Sequence, residues 1–170
     1  LVGTYAHLRD LRQSGRNHIW GYVARNLTRP LWLSQPDQRP DVIVGNPPWL
    51  SYRYMTKATQ EKFRKECLDR NIWAGGKLAT HQDLSAYFFV RSVELYLKAK
   101  GQIAFIMPDS ELNRAAYEGF RKGKYGTAQV RFGAAVAFDE NVQPLFPVPS
   151  SVFFARRASA RSLPKTVTAS

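Results

Sequence analysis

The most constraining stretch is Asp41-Val42-Ile43-Val44-Gly45, followed at once by Asn46-Pro47-Pro48-Trp49. A short β-branched run without polar alternation is the pattern of a strand covered on both faces. Two consecutive prolines then remove two backbone donors and stop either sheet or helix. The chain must therefore hold a strand that ends in a rigid turn, with the amide side chain of Asn46 at its carboxyl end. In open α/β sheets that end is where ligands bind.

The remaining pattern extends this unit. Ile19, Trp20, Tyr22, Val23 and Leu27 recur at helical spacing over 17–27 and Pro30 is expected to end that helix, with a loop over 34–40. Residues 56–70 are polar, with Phe63 and Leu68 as sparse anchors, and read as a surface helix or an ordered loop, with a break at Gly75-Gly76. The strongest helix is expected over 80–98, opened by Thr80 and Asp83 as a capping box and stopped by Gly101. A second strand of buried type covers 102–107 and closes at Pro108. A short helix over 113–122, a strand over 131–138, a proline-rich turn over 144–149 and a strand over 151–155 complete the series. This alternation is the second half of a doubly wound α/β sheet, incomplete as it stands. Residues 1–156 form one partial domain, with a helix and loop over 1–40 leading to a catalytic half over 41–156; residues 157–170 read as a linker or disordered tail.

A length of 170 residues suits one domain, and 44% apolar with 22% charged residues is a globular composition. The single Cys67 excludes an internal disulfide framework, and three scattered histidines (His7, His18, His81) make a metal site unexpected. There is no long apolar span and no leader, so a cytoplasmic protein without membrane contact is expected. The chain opens at Leu1 without a Met and is expected to be a piece of something longer. Lys and Arg outnumber Asp and Glu by 25 to 13, a net charge of +12. That balance attracts polyanions, nucleic acids first, although a solubilising basic surface gives the same count.

The turn itself states a chemistry. Asn46 offers an amide oxygen and Pro47 a carbonyl, two acceptors held rigidly by the prolines, while Trp49 offers a flat face for stacking. Two convergent acceptors beside an aromatic slab suit the exocyclic amino group of a planar base, or a planar amide.

At this point the residues resemble a known family. Asp41 to Tyr52 is similar to the catalytic segment of S-adenosylmethionine-dependent adenine-N6 DNA methyltransferases of type I, type IIG and phage-exclusion systems. Asp83-Leu-Ser-Ala-Tyr-Phe-Phe89, Gly101-Gln-Ile-Ala-Phe-Ile-Met-Pro108 and Gln143-Pro-Leu-Phe-Pro-Val-Pro-Ser-Ser151 resemble later family segments in the family's order. The resemblance implies a Rossmann-like methyltransferase fold and a double-stranded DNA partner with a flipped adenine. It implies a catalytic set of Asn46, Pro47, Pro48 and Trp49, and stacking of the base on Trp49 and Phe146. Hydrogen bonds from the N6 amine to Asn46 and the Pro47 carbonyl would favour a pyramidal, nucleophilic nitrogen before methyl transfer from the sulfonium. Each such acceptor is worth ~3 kcal/mol by analogy with oxyanion-hole donors. The family also implies a restriction or specificity subunit or a fused domain, and action on the prokaryotic nucleoid. The chain departs from the family in the cofactor site: no Gly-rich strand-to-helix turn precedes residue 41, so only Asp83 remains as a candidate cofactor contact. Alone, the chain is expected to be inactive.

Several residues keep two readings. Asp83 is a helix cap or a cofactor contact; Phe146 is a stacking face or plain core. Tyr52 and Arg53 touch substrate or merely line a loop. Arg114, Arg121, Lys122 and Lys124 form a phosphate-facing patch or a solvated face. Two rival functions also stand: methyl transfer to another planar NH2, on protein glutamine or a ribosomal RNA base, and a degenerate remnant that only binds nucleic acid. In the family's intact sheet the strand at 41–45 should pair with a first strand that this sequence is expected to lack, so its edge is expected to be open and prone to aggregation.

Overall fold

A computed structural model describes residues 2–15, 18–138, 146 and 148–158. The chain divides into two compact units, Leu1–Arg39 and Pro40–Ser170.

The first unit is a pair of helices, α1 (Val2–Gln13) and α2 (His18–Leu33). Pro30 lies inside α2 and does not end it, contrary to the sequence expectation. Proline removes its own donor and leaves the carbonyl four residues back unpaired, but it does not prevent the next turn. The Ser34 N–H donates to the Pro30 carbonyl at 3.1 Å and carries that turn to completion.

The second unit is built on a mixed sheet. Its strands are β1 (Val42–Gly45), β2 (Gln102–Pro108), β3 (Lys124–Tyr125), β4 (Ala128–Phe132), β5 (Val136–Ala137) and β6 (Ser150–Arg157). The order is β1-β2-β6-β4-β3, with β5 also paired to β6. β1 and β2 are parallel, with Ile43 opposite Ile103 and Gly45 opposite Phe105; the other pairings are antiparallel. The crossover from β1 to β2 contains α3 (Lys57–Leu68) and α4 (Leu84–Leu95). Their inner residues Phe63, Cys67, Phe89, Val90 and Val93 meet Ile103, Phe105 and Met107 of β2 and Phe153 of β6 in one core. Phe89 anchors an aromatic cluster, with Phe105, Phe120 and Phe132 all within 5.7 Å centroid to centroid.

Several sequence expectations change here. β1 is not covered on both faces: Val42 is 59% and Val44 74% exposed, and among the described residues β1 is hydrogen-bonded to β2 alone. The strongest helix starts at Leu84, not Thr80, and stops at Leu95. Thr80 ends up in a 3₁₀ segment, Gly76–His81, where its hydroxyl donates back to the Lys77 carbonyl at 2.9 Å and so caps nothing downstream. Asp83 is the cap itself, accepting from the Ser85 N–H.

The helix expected over 113–122 is instead α5 (Ser110–Asn113), a 3₁₀ turn (Ala115–Tyr117) and α6 (Glu118–Arg121), because Arg114 is extended at φ −74° and ψ 141°. The strand expected over 131–138 is split into β4 and β5 around Gly133, whose N–H donates to the Phe154 carbonyl. Gly101 does more than end a helix: a side chain there would put its Cβ 2.8 Å from the Asp41 carbonyl oxygen. The tail beyond 158 and the proline-rich turn, apart from Phe146, Val148 and Pro149, lie outside the described residues.

Candidate active site

β1 delivers Asn46 to the carboxyl edge of the sheet. Asn46 is exposed, Pro47 buried, Pro48 exposed and Trp49 half-buried. The pattern follows from the prolines: Pro47 seats the turn in the body of the unit, which leaves the Asn46 amide free to accept from solvent or a ligand. Among the described residues Asn46 has no side-chain hydrogen bond.

Trp49 is fixed at both ends of its ring system. Its indole Nε1–H donates to the Ile106 carbonyl of β2 at 3.3 Å. Its face lies against Phe146, with ring centroids 5.2 Å apart at 39°, and Phe146 in turn stacks on Phe138 at 5.8 Å and 23°. Beyond the far end of β2, Asp109 holds Pro149 and Ser151. The Asp109 N–H donates to the Pro149 carbonyl at 3.0 Å, and the Ser151 hydroxyl donates to the Asp109 carboxylate. The two rings touch, so a base entering between them must part them.

Past Trp49 the loop is stitched antiparallel to the start of α4. The Leu84 N–H donates to the Leu50 carbonyl at 3.0 Å, Ser51 and Asp83 form a β-bridge, and the Tyr52 N–H donates to the Gln82 carbonyl at 2.8 Å. Tyr52 packs its ring on Trp73 and Phe63 at 5.3 and 5.9 Å. Asp83 is buried, and both its oxygens are engaged inside the chain. Oδ1 accepts from the Ser85 N–H at 2.8 Å and from the Ser85 hydroxyl; Oδ2 accepts from the Tyr117 hydroxyl at 3.0 Å. The Ser85 hydroxyl also meets Glu111, which is wholly buried.

The sequence reading missed Ser85, Asp109, Glu111 and Tyr117. No spacing rule marks them, because each is recruited from a different element by tertiary packing. Of the four basic residues left open as a patch, Arg121 donates to the Glu111 and Arg114 carbonyls at 3.0 and 2.8 Å, and Lys122 pairs with Glu118 at 2.8 Å. Arg114 and Lys124 are exposed. Cys67 is fully buried and burial pushes its thiol well up, so it is no nucleophile.

Among the described residues no three His, Cys, Asp or Glu side chains cluster as metal ligands, and no helix is long and apolar enough to cross a membrane.

The profile of the Eco57I restriction-modification methylase family matches residues 22–142, well over half of the chain. The chain belongs to the Eco57I restriction-modification methylase family. It is also similar to a type II methyltransferase, M.VspI, of Vibrio sp. (strain 343): 29% identical over 116 residues, covering 66% of this chain and 26% of that protein. The chain thus spans about a quarter of the length of that curated relative. With the family in hand, the mixed α/β sheet is that of an incomplete Rossmann-like methyltransferase fold. In this family member the Asn46–Trp49 turn lies within the matched region.

Proposed function

We propose that this chain supplies the acceptor side of an S-adenosylmethionine-dependent methyltransferase acting on the N6 amino group of adenine in DNA. The observation that carries the reading is the exposed Asn46 amide at the carboxyl end of β1, one rigid turn from a Trp49 ring pinned to Ile106. Membership in a restriction-modification methylase family and a net charge of +12 support DNA as the partner.

The adenine N6 lone pair is delocalised into the ring, which makes the amine a poor nucleophile. Asn46 Oδ1 and the Pro47 carbonyl accept its two hydrogens and favour a pyramidal nitrogen. Both dipoles also stabilise the positive charge that develops on that nitrogen, and their preorganisation avoids a reorganisation cost. Pro47 and Pro48 hold the acceptors in place. The base leaves the duplex and inserts beside Trp49, parting it from Phe146; stacking at about 1–3 kcal/mol per aromatic face offsets the stacking lost from DNA.

S-adenosylmethionine is the methyl donor this reading requires. The described residues before β1 are helices and a turn, and they form no cradle for it. Asp83, the sequence candidate for that role, has both oxygens occupied within the chain and serves better as a brace for the loop. We therefore assign the acceptor side alone to this chain, which by itself should not turn over. Such an enzyme works with a specificity or restriction component, on the prokaryotic nucleoid in the cytoplasm.

The test offers the intact protein methyl-labelled S-adenosylmethionine with DNA, RNA and protein acceptors, as wild type and as Asn46→Ala. Label is expected as N6-methyladenine in DNA, with turnover lowered about 10²–10³-fold in the variant. Label on glutamine or RNA moves the acceptor to another planar NH2. DNA binding without label in any acceptor leaves only a nucleic-acid-binding remnant.

A further inference from the structure

The carboxyl groups of Asp83 and Glu111 meet behind the stitched loop, and the chemistry above uses neither. The Ser85 hydroxyl lies between them, in hydrogen-bond contact with Asp83 Oδ1 and Glu111 Oε1. A serine hydroxyl carries one proton, so it serves only one of the two contacts as donor. Asp83 already collects the Ser85 N–H and, shared with the His81 carbonyl, the Tyr117 hydroxyl, the surroundings of an anion. The Ser85 proton therefore goes to Asp83, and the contact with Glu111 needs a second proton that only Glu111 can carry. The other Glu111 oxygen, Oε2, has no hydrogen-bond partner among the described residues, which a neutral carbonyl tolerates far better than a carboxylate.

Burial and the Asp83 charge favour a neutral Glu111 and outweigh the Ser85 and Ala86 contacts, which act the other way. Asp83, Ser85 and the Ala86 backbone face it from the start of α4, Tyr117 from the 3₁₀ turn and Tyr125 from β3. Arg121 bonds only its backbone carbonyl. Burial raises the Glu111 pKa well above the carboxylate range, and the Asp83 charge raises it further.

We propose that Glu111 is a positioning residue for the Asn46–Trp49 loop: its proton, donated to the Ser85 oxygen, turns the Ser85 hydroxyl toward Asp83 and holds Asp83 where Asp83 bridges Ser51. As a contribution to methyl transfer this rests on the function proposed above. The link to the loop is short. Asp83 is at once the cap of α4, the partner of Tyr117 and the residue bridged to Ser51, two positions past Trp49.

Two substitutions in the intact protein test it. Glu111→Gln keeps a neutral donor facing Ser85, and Glu111→Leu keeps the volume without one. Amide exchange is read at Tyr52 and Leu84, whose N–H groups make the stitch, alongside label transfer to DNA across pH. In Glu111→Leu both amides should exchange at least about tenfold faster. Its kcat should fall about tenfold while KM for DNA stays within about twofold. Glu111→Gln should keep wild-type exchange and turnover, and should lose the alkaline decline that ionisation of Glu111 imposes on the wild type. The proposal is overturned if Glu111→Leu leaves both amides protected, or if Glu111→Gln behaves like Glu111→Leu. A wild-type protein that labels no DNA, while the variants still split in exchange, would overturn the methyltransferase reading and support the hold of Glu111 on the loop.

Discussion

The Tyr117 hydroxyl donates to Asp83 and also lies 3.0 Å from the His81 carbonyl. Tyr117→Phe strips a donor from a buried carboxylate and should cost about 1–3 kcal/mol in denaturant unfolding. Glu111 makes a second prediction, about acidity. Its folded pKa lies above the ordinary 4.5, so the folded state holds a proton that the unfolded chain has released. Stability from this group is therefore greatest below pH 4.5 and falls as pH rises toward the folded value. Glu111→Gln has no such proton to lose, so its unfolding free energy should vary less with pH over that window, measured by urea melts at several pH values.

At the scale of elements, β1 is the vulnerable piece. It is four residues long, lies at the sheet edge, and leaves Val42 and Val44 exposed. An exposed apolar edge invites pairing with another chain, and a lysine there blunts it. Val44→Lys should leave the thermal midpoint within about 2 °C while slowing aggregation measured by light scattering, since the side chain has no packing to lose. Legibility was uneven at this scale. The β1 turn and β2 are readable as short apolar runs closed by Pro, β6 as the apolar run Val152–Ala155 after a proline-rich turn, and α4 as apolar residues recurring at helical spacing. Boundaries failed where a side chain chose its partner through tertiary contact. Thr80 was a plausible cap until its hydroxyl turned back to Lys77, and the helix over 113–122 broke at Arg114 so that Tyr117 could reach Asp83. The turn from Asn46 to Trp49 is legible through its two prolines. Glu111 carried no signal, because a buried proton leaves no mark in a sequence pattern.

For the molecule as a whole, charge and connectivity decide behaviour. With a net +12, DNA binding should weaken steeply as salt rises, with a log–log slope of about −0.9 per phosphate contacted, measured by fluorescence anisotropy between low and moderate salt. Neutralising Arg114 and Lys124, two exposed cations, should flatten that slope if they meet phosphates and leave it unchanged if they are merely solvated. Connectivity bears on timing. The bond that fixes Trp49 joins residues 57 positions apart, and β2 pairs with β6 across about fifty residues, as between Pro108 and Ser150. Contacts so distant along the chain form late, after the entropy of closing long loops has been met. The Asn46 turn therefore precedes in the chain the contacts that fix it. A half-made chain lacks the Trp49–Ile106 bond, and the turn is held in full only once the sheet has closed.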